Sequence, residues 1–208
     1  PVSVCRLKRA AAVRDTGDWK ANVRHEPLSG KTVAVVGAGP AGLTAALYCA
    51  EKGHKVVVFE ANEKVGGQMR YGIPAYRLPD ATVDAEVATI LEIAQGNDAE
   101  PRIELRCGER VAEPQALLAQ GFDAVLVAVG THDGTVLPMP GHDLEGVLRN
   151  TDFLKAARTG NAPDLTGKRV VVLGGGNPVI ENNRLSGLLE TLGAETIEVL
   201  YWGDIDRA

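Results

Sequence analysis

Cysteine is scarce in this chain. Only Cys5, Cys49 and Cys107 occur, far apart and without a Cys-x-x-Cys pair. Neither a zinc site nor an iron–sulfur site can be assembled from them alone, and no metal is expected. The expectation is three reduced thiols in a cytoplasmic protein. Positive charge is not in excess either: the formal net charge is −5, so neither nucleic acid nor an anionic membrane is an expected partner. No apolar run approaches the roughly 20 residues of a membrane-spanning helix, and nothing at the N-terminus reads as a signal peptide. An initiating Met is also absent. The chain opens at Pro1, and this start is expected not to be the natural one.

What is present is an ordinary globular composition, 45% hydrophobic and 24% charged, in a length that allows one large domain or two small ones. Residues 3–14 read as a short basic helix with Ser3 available as its N-cap. Residues 15–30, with Gly17, Pro27 and Gly30, read as a wrapping linker. Lys31 to Val36 is a short β-branched run suited to a strand buried on both faces. Leu43 to Lys52 is a helix stopped by Gly53, and Lys55 to Phe59 is a second buried strand. Together they make a βαβ unit, which implies a parallel sheet. A Gly- and Pro-rich loop follows over 61–80. Val83 to Gln95 has helical apolar spacing, Ile103 to Cys107 alternates like a strand, and Phe122 to Val129 is a third buried strand stopped by Gly130. Beyond the loop 131–150, Thr151 to Arg158 predicts a short helix. Lys168 to Leu173 opens a second strand and glycine turn, and Thr196 to Tyr201 alternates like a last strand.

Gly37-Ala38-Gly39-Pro40-Ala41-Gly42 is a GxGxxG element. Its position directly after a strand and at the opening of a helix gives it meaning. Gly37 allows the tight turn, Gly39 removes the side chain that would block a pyrophosphate, and Gly42 lets helix and strand pack closely. The first N–H groups and the dipole of the helix suit phosphate charge. Glu60, at the end of the second strand, is the acid expected to accept hydrogen bonds from a ribose.

The segment Val65-Gly-Gly-Gln-Met-Arg-Tyr-Gly-Ile-Pro-Ala-Tyr-Arg-Leu-Pro79 closely resembles the GG-x-x-R-Y-G-I-P stretch of the glutamate synthase small-subunit family. That group also contains the flavin-binding part of dihydropyrimidine dehydrogenase. The resemblance continues through Pro79 to Asp84, Val127 to Thr131 and Asn150 to Leu154. It includes Pro1 to Arg9, similar to the segment that follows an iron–sulfur domain in those proteins. It implies FAD, with the pyrophosphate at Gly37–Gly42 and the adenosine ribose at Glu60. Gly66, Gly67 and Gln68 would run past the ribityl chain and flavin edge. Ala128 and Gly130 would form the second FAD loop, where Val129 replaces the more usual Thr, and Val111 would meet adenine through its backbone. Arg70 stands between two readings, with Tyr71 and Arg77: contact with the flavin, or bracing of the loop.

The resemblance also implies a second nucleotide fold for NAD(P)H beginning at Gly174-Gly175-Gly176-Asn177. Pro178 then interrupts the expected helix, and Trp202 and Gly203 stand where an arginine pair suited to a 2′-phosphate would be, so a preference for NADP is not carried over. The expected fold is therefore α/β. Residues 1–30 are helix and linker, 31–165 a parallel-sheet, Rossmann-like FAD domain, and 166–208 an incomplete second βαβ unit. The chain is expected to be a fragment, a truncated gene product or a chain with an unusual nicotinamide half, and to show little NAD(P)H oxidation alone. The implied function is transfer of electrons from NAD(P)H through FAD to an iron–sulfur domain or acceptor subunit, any 4Fe–4S cluster lying outside this chain. The alternatives are a non-catalytic FAD-binding remnant and, more weakly, an NAD module. A carboxylate cluster of Glu181, Asp204 and Asp206 for Mg²⁺ is a minor reading. No catalytic residue is assigned: His25, His54, His132 and His142 lie in linkers or at loop edges, and hydride transfer to a flavin requires no protein acid.

Overall fold

A computed structural model describes residues 3–134, 136, 138–173 and 191–200. The chain divides into two compact units, Pro1–Thr131 and His132–Ala208.

The first unit is built on a four-stranded parallel sheet of β1 (Thr32–Val36), β2 (Lys55–Glu60), β3 (Ile103–Cys107) and β4 (Ala124–Val127), in the order β3-β2-β1-β4. The central register pairs Val36 with Phe59 and with Val127. Because side chains alternate across a strand, β1 and β2 fill two cores. Val35, Val56 and Val58 pack with Leu43, Ala46, Ala50, Val83 and Val87, which come from α2 (Pro40–Glu51) and α4 (Asp80–Gln95). Ala34, Val36, Val57 and Phe59 pack on the other side with Leu117 from the short α5 (Ala116–Ala119), and the Phe59 and Phe122 rings meet edge to face. This double burial explains the unbroken apolar runs. Strands β1, β2 and β3 step outward in one direction, and β4 returns to the other side of β1. The reversal point therefore lies between β1 and β4.

The wrapping linker is fastened to this body. Glu26 N–H donates to Glu51 O and Ser29 N–H to Gly53 O, both at 2.8 Å. The buried Arg102 guanidinium donates to Glu26 O at 3.0 Å and Ala50 O at 2.7 Å, and pairs with Asp98. Ahead of the linker, α1 (Val4–Val13) has no buried residue, and Ser3, at its N-cap position, makes no side-chain capping bond.

Several spans differ from the sequence expectation, the following three among them. Helix α2 starts at Pro40 rather than Leu43, because proline is pre-set for the first helical position. Helix α4 starts at Asp80, immediately after Pro79. Strand β4 is shorter than 122–129, because the chain turns at Ala128 to meet Gly37.

The second unit contains α6 (Asn150–Arg158) and a parallel pair, β5 (Arg169–Leu173) and β6 (Thr196–Leu200), registered from Arg169 on Thr196 to Leu173 on Leu200. The expected phosphate turn Gly174, Gly175, Gly176 and Asn177, with Pro178 and Glu181, comes between β5 and β6 in sequence and lies outside the described residues. Trp202, Gly203, Asp204 and Asp206 lie outside them too.

Candidate dinucleotide site

The C-terminal edge of β1 gathers three glycine-containing segments. Gly37 has φ +105 and donates its N–H to Phe59 O at 2.8 Å. A Cβ there would lie 2.4 Å from Ala128 O, so the end of β4 can approach only a glycine. Ala128 N–H donates in turn to Val36 O at 2.8 Å. At Gly42, a Cβ would lie 1.9 Å from Gly37 O, which seats the first turn of α2 on the glycine turn.

Gly39 differs from both. Its backbone is extended, φ −78 and ψ −175, and among the described residues a Cβ there would meet only Gly67 Cα, at 3.7 Å. The protein's own packing does not demand glycine at this position. It lies at the start of α2, whose first N–H groups have no acceptor within the helix. Pro40 carries no N–H, so Ala41 and Gly42 supply the first donors.

The second glycine segment lies directly against the first. Gly66 N–H donates to Ala38 O at 2.8 Å. Gly67, at φ +52, would place a Cβ 2.7 Å from Gly39 Cα. Gln68 opens the four-residue α3 (Gln68–Tyr71), and its Nε2 reaches Thr131 O at 3.4 Å, beside Gly130 at φ +68. Gly37–Gly42, Gly66–Gln68 and Ala128–Thr131 thus meet where the strand order reverses, the place where open α/β sheets bind ligands.

Glu60 closes β2 with only 5% of its surface exposed. Its Oε2 accepts from Ala38 N–H at 2.9 Å, and its Oε1 accepts from Asn62 N–H at 2.9 Å and Asn62 Nδ2 at 2.6 Å. Glu109 N–H donates to Glu60 O at 2.9 Å, bringing residues 109–111 alongside, and Val111 packs against the Phe59 side of the core. The Glu60 charge is felt nearby. Burial raises the Cys107 thiol and the Tyr71 phenol above their ordinary values, and Glu60 adds to both shifts.

Arg70 is 4% exposed. Its Nε donates to Val65 O at 2.6 Å, and its terminal nitrogens pair with Asp80 and Asp84. Tyr71 donates its hydroxyl to Lys64 O at 3.1 Å and accepts Lys64 N–H at 3.2 Å. Through these contacts both side chains brace the 61–80 loop.

The sequence reading missed Asn62 and Arg102. The only signal for Asn62 was an amide two residues beyond a strand-ending acid. Among the described residues, no cluster of His, Cys, Asp and Glu could hold a metal ion, and no helix is long and apolar enough to cross a membrane.

A parallel sheet whose strand order reverses beside a glycine turn opening a helix, with an acid closing the neighbouring strand, defines a dinucleotide-binding α/β fold. Comparison with known families extends this class. The pyridine nucleotide-disulphide oxidoreductase family matches residues 31–201, and the chain belongs to that family. It is 37% identical over 175 residues to the NADP(+)-dependent formate dehydrogenase subunit beta of Moorella thermoacetica, covering 83% of this chain and 24% of that protein. It is 35% identical to the NADPH-Fe(3+) oxidoreductase subunit beta of Geobacter sulfurreducens, covering 96% of this chain and 29% of that one. The glutamate synthase [NADPH] small chain of Mycobacterium tuberculosis is 36% identical, with 72% of this chain and 32% of the relative covered. Among solved structures, Mycobacterium tuberculosis FprA in complex with NADPH superposes with TM-score 0.65 at 25% identity, covering 84% of this chain and 43% of that one. The chain thus spans less than half the length of each of these relatives.

Proposed function

We propose that this chain is the FAD-binding part of an NAD(P)H-dependent oxidoreductase that passes electrons to an iron–sulfur domain or acceptor subunit. The observation that carries the reading is the meeting of three glycine segments beside buried Glu60. The backbone at Gly39 leaves the space that a pyrophosphate needs, and the first N–H groups of α2 supply donors for its charge. Gly66 and Gly67 bring backbone, without side chains, to where the ribityl chain and flavin edge would run. The Gly130 turn would border the same ligand, and residues near Val111 would border adenine. FAD bound here supplies the capacity to accept a hydride and release electrons one at a time. The protein's part is to fix that group, orient Glu60 through Ala38 and Asn62, and brace the 61–80 loop through Arg70 and Tyr71.

The second unit, with its parallel β5–β6 pair, is the half assigned to NAD(P)H, through Gly174–Asn177. The relatives named as subunits support an electron-accepting partner. Three thiols without disulfides support a cytoplasmic setting.

Flavin fluorescence titration of Glu60→Ala against the unmutated protein tests the assignment, with thermal melting as the check on folding. The reading predicts weaker FAD binding by about 1.5–3 kcal/mol, the range for a hydrogen bond to a charged group. A folded variant with unchanged affinity would contradict it.

A further inference from the structure

The Glu60 carboxylate is already engaged within the protein, and unequally at its two oxygens. Oε2 takes one donor, Ala38 N–H. Oε1 takes two donors from a single residue, the backbone N–H and the side-chain amide of Asn62. A carboxylate only accepts, so the amide must present its NH2 group. Each carboxylate oxygen offers about two acceptor positions. Oε1 is therefore filled, and Oε2 retains one position.

The turn that makes this possible is fixed from outside. Asn62 O accepts Gly108 N–H, and Glu60 O accepts Glu109 N–H, both at 2.9 Å. Residues 60–62 are thus fastened to the chain leaving β3. Glu60 itself is almost fully buried, so its carboxylate has little room to swing. A ribose presents two neighbouring hydroxyls, and a carboxylate with both oxygens open could take one on each. This one cannot while Asn62 fills Oε1.

We propose that Asn62 is a positioning residue that saturates Oε1 of Glu60, so that Glu60 meets the adenosine ribose through Oε2 alone and takes one hydroxyl rather than two. This rests on the assignment of Glu60 to the ribose. Its consequence is that the 2′ and 3′ hydroxyls become unequal in binding. Loss of the hydroxyl on Oε2 leaves a buried charged acceptor one bond short, which is expensive. Loss of the other costs little.

The test is calorimetric titration of the whole chain with FAD and with two analogues, one lacking the 2′ and one the 3′ hydroxyl of the adenosine ribose. In the unmutated protein, one analogue is expected to bind about tenfold or more weakly than FAD, and the other within about threefold. In Asn62→Ala, Oε1 regains an acceptor position, and both analogues are expected to bind several-fold more weakly than FAD. Asn62→Ser keeps a donor beside Oε1 and is expected to restore the unequal pattern. A purely structural role for Asn62 would weaken all three ligands equally and leave their ratios unchanged, which overturns the proposal. Equal weakening of both analogues in the unmutated protein also overturns it, while leaving Glu60 as the ribose acceptor. If FAD binds and neither analogue is weakened, the Glu60 assignment fails and the proposal falls with it. The comparison in the unmutated protein decides between these outcomes even where Asn62→Ala does not fold.

Discussion

Two glycines of the same turn should fail in opposite ways when each is replaced by alanine. At Gly42 the added methyl would sit 1.9 Å from Gly37 O and 3.3 Å from Val35 Cγ1. The first contact is with backbone, so the helix start or the turn must move. Overpacking of this kind costs about 1–3 kcal/mol or more, which for a protein of this size lowers Tm by roughly 2–4 °C per kcal/mol. At Gly39 the added methyl meets, among the described residues, only Gly67 Cα at 3.7 Å, with φ −78, a conformation alanine adopts without strain. Gly39→Ala should therefore keep or slightly raise Tm, by the roughly 0.4–1 kcal/mol that a compatible Gly→Ala change contributes through the unfolded chain. The same methyl intrudes on the space assigned to the pyrophosphate. Displacing one charge-assisted hydrogen bond there should cost about 1.5–3 kcal/mol of FAD affinity, roughly ten- to a hundredfold. Calorimetric melting without ligand and isothermal titration with FAD measure both quantities for both variants. A Gly39→Ala protein that melts well below the unmutated one while binding FAD normally would refute the division of roles, as would a Gly42→Ala protein of unchanged Tm.

Other perturbations read other parts of the structure. Arg70→Ala should destabilise the chain by about 1–3 kcal/mol through the loss of charged hydrogen bonds, the acids it meets being half exposed, at 50% and 60%; urea unfolding measures this, and an unchanged midpoint would contradict the bracing role. Arg102→Ala leaves Glu26 O and Ala50 O without a donor, and limited proteolysis should then cut first within residues 23–30; unchanged protection would count against the anchoring. Stability should fall at both ends of the pH scale. Hydrogen bonds from Arg102 and Lys55 hold Asp98 and Glu100 below their ordinary values, so their contribution is full above about pH 4.5 and is lost as pH falls through the folded-state values. Burial raises Cys49, Cys107 and Tyr71, so the folded state keeps protons that the unfolded state releases, and stability declines as pH rises beyond about 9. Urea midpoints that rise toward either extreme would contradict these signs. With Trp202 and Gly203 following the last strand instead of an arginine pair, NADPH should not reduce the FAD-loaded chain faster than NADH by tenfold, a difference of about 1.4 kcal/mol; stopped-flow mixing under anaerobic conditions checks this.

Much of the first unit was legible in the sequence because its central strands are buried on both faces. That burial makes Lys31–Val36 and Lys55–Phe59 unbroken β-branched runs bounded by glycine. The order of glycine turn, helix and strand-ending acid then pointed to the C-terminal edge of β1, where the three glycine segments meet. The partners of buried polar groups were not legible. Arg102 reaches carbonyls 76 and 52 residues away in sequence, and no local pattern announces such a bond. Arg70 could be placed in the loop, but whether it faces a ligand or the loop itself depends on Asp80 and Asp84 lying one helical turn apart on α4. Asn62 was invisible for a subtler reason: its significance lies in which oxygen of Glu60 it fills. Gly-Pro-Ala-Gly reads as a turn in sequence, whereas Pro40 already belongs to α2.

The central claim is that the Gly37–Gly42 turn and Glu60 hold the adenylate half of FAD. Parallel titration of the chain with FAD and with FMN, followed by displacement with ADP, tests it directly. FMN has the flavin without the adenylate, and ADP has the adenylate without the flavin. Loss of the pyrophosphate contact and the ribose hydrogen bond, about 1.5 kcal/mol or more each, predicts that FMN binds at least roughly a hundredfold more weakly than FAD. ADP is predicted to displace FAD competitively. FMN binding as tightly as FAD, with no displacement by ADP, would contradict the account.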